Sequence, residues 1–367
     1  MTNDPRPIKI MSKAFRELLK KVGSGNHTGE NLTRQEAAAA TKMMLLGEAT
    51  PAQIGAFMIA HRIKRPTGEE LAGMLDAYDE LGPKLQPKPG NNSPVKVLGI
   101  PYDGRSRTAP INPITALILT SAGIPVIMHG GDRMPTKEGI PLIEIWQGLG
   151  IDWTQLSLTE TQQIFETTGL GFIYLPNHFP LAAGLVTYRD QIGKRPPFAT
   201  MELIWCPYAG DAHIISGFVH PPTENMFRGA LETKGVPYNL TTIKGLEGSC
   251  DLPRDRTAII GILKQNTELE RLHLSHNDYG FSNINPPLPP TSNELINQIR
   301  SVLKGEPSEM MQSAIWNGGF YLWHCGICPS MEAGIDATKE ILTNNNATQK
   351  LEEICSAIAA LQLSHKI

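Results

Sequence analysis

The feature that most constrains this chain is an alternation that begins at residue 95. The short apolar runs VKVLGI, IPVIMHG and GFIYLP, then HIISGFVH and YNLTTIKG, have strand length and are rich in β-branched residues. Between them lie PITALILTSAG, GIPLIEIWQGLG and PTENMFRGALETKG, whose apolar residues recur at helical spacing. Strands that alternate with helices predict a mostly parallel sheet covered on both faces, with ligands at the carboxyl ends of its strands. The loops after VLGI and VIMHG are therefore the first places to look for chemistry.

Residues 8 to 80 follow a different pattern, helical throughout and without a strand signal. In LTRQEAAAATKMMLLG, Thr33 and Glu36 predict a capping box, and Gly47 a stop. Thr50-Pro51 opens the next helix and Thr67 repeats the device. QPKPGNNSP, residues 86–94, is a linker by composition. At 367 residues the chain is long for one core. The expected organisation is a small helical domain over 8–85, joined by a helical segment within 181–205, and a larger α/β domain over 94–180 and 206–365. SNINPPLPP, residues 282–290, is a proline-rich connector ahead of the C-terminal helices.

Composition is that of a soluble globular protein, with 41% hydrophobic and 19% charged residues, and a net charge of −3 gives no global sign of a nucleic-acid binder. No run suits a membrane span, no signal peptide is visible, and five cysteines read as reduced thiols. A cytoplasmic protein without a membrane partner is expected. Cys325 and Cys328, beside His324, have CxxC spacing but lack a second ligand pair, so a place in a helix approach outweighs a metal or redox role.

The stretch VLGIPYDGRSRTAPINPITALI has the outline of a strand feeding a helix through a phosphate loop, yet Ile100, Pro101 and Tyr102 stand where glycines would be expected. Glycine lets a backbone approach a phosphate and aim several N–H groups at it, whereas proline has no N–H to give. Arg105 and Arg107 follow, close to a helix start near Asn112 or Pro113. They could hold an anion there, or be two solvated arginines.

The segment LLGEATPAQIGAFMIAHRIKRPTGEELAGMLDAYDEL, residues 45–81, resembles the N-terminal helical domain of the anthranilate phosphoribosyltransferases. That resemblance implies an α/β fold class: a small all-helical N-terminal domain plus a larger α/β domain with a mostly parallel sheet, the cleft between them, and a homodimer formed through the helical domain. The family's G-T-G-G-D-G turn corresponds to Gly99–Gly104, and its K-H-G-N-R-S-V-S-S-K-S-G loop to Met128–Gly139. By analogy Gly99, Asp103, Gly104, Arg105, Arg107, His129, Gly130 and Lys137 would bind the phosphates of an anionic sugar phosphate. Asn177, His178, Arg189 and Arg195 would lie on the acceptor side, where Glu202 would repel a carboxylate and so disfavour anthranilate. The family's adjacent Asp-Glu pair is Cys250-Asp251 here, which leaves Asp251 and Glu247 as a weak Mg²⁺ site at best, because thiol is a poor Mg²⁺ ligand.

The resemblance implies a glycosyl or phosphoribosyl transferase with altered phosphate and acceptor sites, and it designates no catalytic residue. The alternative is a non-catalytic relative that binds single-stranded nucleic acid along a basic cleft rim. Lys194, Arg195, Lys244, Arg254 and Arg256 would form that rim with Arg105, Arg107 and Arg133.

Overall fold

A computed structural model describes residues 6–364 except 26–27, 89–92, 236–238 and 265–267. The chain opens with α1 (Arg6–Gly23), α2 (Arg34–Leu45), α3 (Pro51–Lys64) and α4 (Gly68–Leu81). Thr33, Thr50 and Thr67 each form a complete capping box, with Glu36, Gln53 and Glu70 respectively. Each box satisfies two N-terminal backbone donors that the helix itself leaves open.

Seven strands follow: β1 (Val95–Gly99), β2 (Val126–Gly130), β3 (Leu170–Tyr174), β4 (Ala212–Gly217), β5 (Asn239–Ile243), β6 (Ala258–Leu263) and β7 (Glu270–Leu274). They form one sheet in the order β3-β2-β1-β4-β5-β6-β7. The first five are parallel, with Val97 level with Ile127 and Ile214, and β6 and β7 run antiparallel. The last two strands were not apparent in the sequence. AIIGIL is interrupted by Gly261, and ERLHL lies at an open edge with mostly exposed side chains, so it lacks an apolar run.

The larger helices on the sheet are α5 (Asn112–Ser121), α6 (Leu142–Leu149) and α7 (Leu158–Thr168). Four short helices come next: α8 (Leu175–His178), α9 (Pro180–Ala183), α10 (Val186–Gln191) and α11 (Phe198–Met201). Then follow α12 (Pro221–Lys234), α13 (Ser292–Leu303), α14 (Glu309–His324), α15 (Met331–Thr343) and α16 (Asn346–Ser364). Among the described residues no helix is long and apolar enough to cross a membrane.

Strand side chains alternate between faces, and this divides the interior into two cores. Leu98, Val126, Met128, Phe172, Ile215 and Ile243 pack with α5, α6 and the C-terminal helices. Val95, Val97, Ile127, Ile173, Ile214 and Leu240 point the other way, into the core that holds α2, α3 and α4. The segment after β3 returns to the helical region, where α10 packs on α3, and α11 and α12 on α4. The cleft of interest opens between that region and the carboxyl ends of β1 and β4.

Candidate functional site

β1 ends at Gly99, where a Cβ would lie 1.9 Å from the Leu203 carbonyl oxygen, so this glycine serves a close backbone approach. Ile100 and Tyr102 are buried directly after it. The Tyr102 hydroxyl hydrogen-bonds Nδ1 of His129, on β2, and the two rings meet edge to face. Burial pushes the His129 imidazole down to about 3, so it is neutral near pH 7. His129 is thus a packed core histidine facing Tyr102 and Trp205, although the resemblance placed it on a phosphate. Gly130 closes β2 with room for a Cβ, in ordinary contact with Phe172.

The loops after β1 and β2 lie against each other. Gly104, at φ +73°, is so close to Gly139 that a Cβ would fall 2.6 Å from its carbonyl carbon. Asp103 accepts from Arg195 at 2.5 Å. Arg105, expected on an anion, is instead a buried strut. Its guanidinium donates to Ser249 Oγ at 2.6 Å and to Asp251 Oδ2 at 2.7 Å, and further bonds reach Thr108 and the Ala109 carbonyl. Arg107 stays largely exposed, its Nε 4.0 Å from Glu247.

Glu247 lies at the centre of this loop. Its Oε1 accepts from the Arg107 and Thr108 backbone N–H groups and the Thr108 hydroxyl, each at 3.0 Å. Its Oε2 accepts from the Ser106 N–H and hydroxyl and from Lys137 Nζ, each at 3.1 Å. Burial pushes this carboxyl up, but the Ser106 N–H and the Lys137 ammonium outweigh it and hold the group well below the usual carboxylate range. Asp251 receives, besides Arg105, the Ile111 N–H at 2.9 Å just ahead of α5. Both carboxylates are therefore engaged by cations and backbone donors, and Arg105 reaches both, at 3.7 Å from Glu247 Oε1 and 2.7 Å from Asp251 Oδ2. Among the described residues no group of three or more His, Cys, Asp or Glu could hold a metal ion. Glu247 and Asp251 are the carboxylates that would hold Mg²⁺ beside a substrate phosphate, and Oδ1 of Asp251 is left without a hydrogen-bond partner.

Among the residues expected on the acceptor side, both Glu202 oxygens accept from Arg189 Nη2 at 2.9 Å, and Arg189 Nη1 donates to Met134 Sδ. Burial pushes the Glu202 carboxyl up, with Arg189 opposing. The guanidinium expected to greet an acceptor carboxylate is neutralised from within. Asn177 Nδ2 donates to the Thr154 carbonyl, while His178 accepts from the Tyr174 N–H and bonds the Leu156 carbonyl. These two side chains clamp the 154–156 turn. Of the basic rim, Arg254 is wholly buried against Glu309 and Ser313, and Arg133 is held bidentately by Glu144.

Two cavities flank Tyr102. The larger, about 840 Å³, is lined by Arg62 and Arg65 from the end of α3, by Asp103, Arg195 and His220, and by Glu247. The smaller, about 340 Å³, is mostly apolar and is bounded by Met134, Leu175, Val186 and Glu202. Arg62 and Arg65 gave no local signal, because only the packing of α3 over the sheet brings them to the cleft.

A model for the helical bundle domain of a glycosyl transferase family matches residues 16–82, and one for the family's a/b domain matches residues 104–348. The chain belongs to this glycosyl transferase family. Curated relatives are anthranilate phosphoribosyltransferases. That of Chromobacterium violaceum is 25% identical over 89% of this chain and 94% of its own length. That of Acetivibrio thermocellus is 26% identical over 92% and 95%. The Thermus thermophilus enzyme superposes with a TM-score of 0.75 at 19% identity, covering 94% of this chain and 99% of that one. The Saccharomyces cerevisiae enzyme in complex with PRPP and Mg gives 0.78 at 15% identity, covering 95% and 99%. This family member therefore has the anthranilate phosphoribosyltransferase-like fold.

Proposed function

We propose that this protein binds an anionic sugar phosphate of the phosphoribosyl pyrophosphate class in the larger cavity and transfers its glycosyl group to an acceptor other than anthranilate. The observation that carries the reading is the placement of that cavity. It lies at the carboxyl ends of β1 and β4, where open α/β sheets bind ligands, with Arg62, Arg65 and Arg195 on its walls. In such a transfer the C1–O bond of the sugar breaks and its electron pair leaves with pyrophosphate. The acceptor's lone pair forms the new bond to C1, and the acceptor gives up a proton. Because the transition state resembles an oxocarbenium ion with an anionic leaving group, fixed positive charge near that group does most of the work. Arg62 and Arg65 supply such charge, whereas Arg195 is already paired with Asp103.

The smaller cavity, across Tyr102, is the acceptor side of this reading. Glu202 on its wall already neutralises the Arg189 guanidinium, so an uncharged acceptor suits it better than a carboxylate. Calorimetric titration with phosphoribosyl pyrophosphate, with and without Mg²⁺, tests the proposal. Micromolar binding is the expected outcome, with no product on adding anthranilate. Absence of heat at millimolar ligand in both buffers would overturn it.

A further inference from the structure

Lys96 is the second residue of β1 and only 7% exposed, yet its ammonium meets no hydrogen-bond acceptor and no carboxylate among the described residues. A lysine is seldom so buried unless it is paired. It lies near the amino end of the sheet, at the other end of β1 from the cleft. His213 of β4, also buried, is its register partner, so the two side chains leave the sheet on the same face.

A second imidazole reaches this point from the end of α14. Thr241 Oγ1 of β5 lies 2.8 Å from His213 Nε2 and 2.7 Å from His324 Nε2, and the two ring centroids are 5.2 Å apart. Phe320 stacks on His324 and fixes its ring. One hydroxyl has one proton to give, so two neutral rings share it only if one accepts at Nε2 and the other donates. The accepting ring then carries its own proton on Nδ1, and neither Nδ1 has a protein partner among the described residues. The carbonyls that end α14 are engaged already, since the N–H groups of Cys325, Gly326, Ile327 and Cys328 take those of Tyr321, Leu322 and Trp323.

The charges around the two rings are of one sign. Lys96 and Lys264, the latter just after β6, both act on them, and among the described residues no carboxylate does. Burial, with these cations behind it, holds both imidazoles below their usual range, His324 at about 4. The neighbouring Cys325 thiol is pushed up to about 11 by burial and so adds no negative charge near pH 7.

We infer that Lys96, His213 and His324 form an anion site at the amino end of the sheet, for a small tetrahedral oxyanion: free phosphate or the phosphate of a small ester. The elements β1, β4 and α14 bring one donor each, which suits the three oxygens of a phosphate group. The anion supplies the counter-charge that Lys96 lacks and draws protons onto the imidazoles. No covalent step is involved. The site stands apart from the glycosyl-transfer reading, because the cleft lies at the opposite ends of the same strands.

The test follows the histidine ring protons by NMR, with the two resonances assigned from His213→Gln and His324→Gln. The full chain is titrated with inorganic phosphate, ribose 5-phosphate and sulfate at constant ionic strength. Phosphate is expected to shift both rings saturably at millimolar concentration, and Lys96→Met to weaken that binding about tenfold. If Lys96→Met does not fold, Lys96→Gln removes the same charge and keeps a polar end, with the same loss expected. Sulfate holds its charge between about pH 8 and about pH 5, so its affinity reports the imidazoles alone. It should rise about tenfold over that range, because an anion that raises an imidazole's titration midpoint binds more tightly as the ring protonates. Ribose 5-phosphate that shifts both rings as phosphate does would assign the site to phosphate esters, and phosphate alone would assign it to the free ion. Resonances of His213 and His324 that no tetrahedral anion moves would overturn the inference. So would shifts that persist undiminished in a folded Lys96 variant, or a sulfate affinity that does not change with pH.

Discussion

Arg189 and Glu202 show what a single substitution in the cleft does at the residue scale. Both are buried, and each provides the other's counter-charge. Removing one member leaves an uncompensated charge away from water, which costs about 3–5 kcal/mol, whereas replacing both by apolar residues of similar size is often neutral. Glu202→Ala is accordingly expected to lose about that much stability in urea denaturation, and Arg189→Met/Glu202→Leu to recover most of it. A double variant as unstable as the single one would show that the pair contributes packing and not charge balance. Glu202 also illustrates how far the candidate site was legible. Its negative charge is apparent from residue type alone, but its pairing with a residue 13 positions away depends on how the chain between them turns.

At the scale of elements, the start of α4 is tied to its neighbours through one carboxylate. Glu70 completes the capping box of Thr67, accepts from the Leu32 N–H at 2.9 Å and Lys64 Nζ at 2.8 Å, and lies 3.5 Å from His61. Burial pushes its carboxyl up, but His61, Lys64 and the Leu32 N–H together hold it down at about 2, against 4.5 when unperturbed. A carboxylate with a depressed folded-state value stabilises fully above the unfolded value, and that contribution is lost as pH falls from 4.5 toward 2. The shift corresponds to on the order of 3 kcal/mol at neutral pH. Urea melts of the wild type and Glu70→Gln should therefore differ most near pH 6, and the gap should narrow by about half at pH 3. A gap independent of pH would mean that the carboxylate's charge is not what holds these helices.

Across the whole molecule, the helical region and the α/β region share a core. Trp205 lies wholly buried between them, with its ring 5.5 Å from Tyr78 of α4, 5.8 Å from Phe179 and 5.1 Å from His129 of β2. An ion-pair cluster reinforces the join, as Lys234 of α12 reaches Asp76 at 2.7 Å and Asp79 at 2.8 Å. Trp205→Ala should cost about 3–5 kcal/mol. It should lower the stability of both regions together. Far-UV circular dichroism would follow the helices, while fluorescence of the four remaining tryptophans, all outside α1–α4, would follow the α/β part. Transitions that separate would show the regions to be independent.

Local chemistry explains why much of the architecture was legible without coordinates. Capping residues, apolar runs of strand length and helical spacing act over a few neighbours, so Thr33, Thr50 and Thr67 mark their helices and VKVLG or VIMHG their strands from sequence alone. The edge strand ERLHL escaped because its exposed face carries no such run. Pro101, Tyr102 and Cys250 are also plain in the letters, and they are what led the sequence reading to expect altered phosphate and metal positions. What the letters do not determine is where each charge goes. Arg105 on Asp251, Arg195 on Asp103 and Glu247 in the 106–108 loop are pairings across 146, 92 and about 140 residues. They are decided only when the sheet and its loops bring those side chains within a few ångströms, because electrostatic and hydrogen-bond energies depend on distance in space and not along the chain.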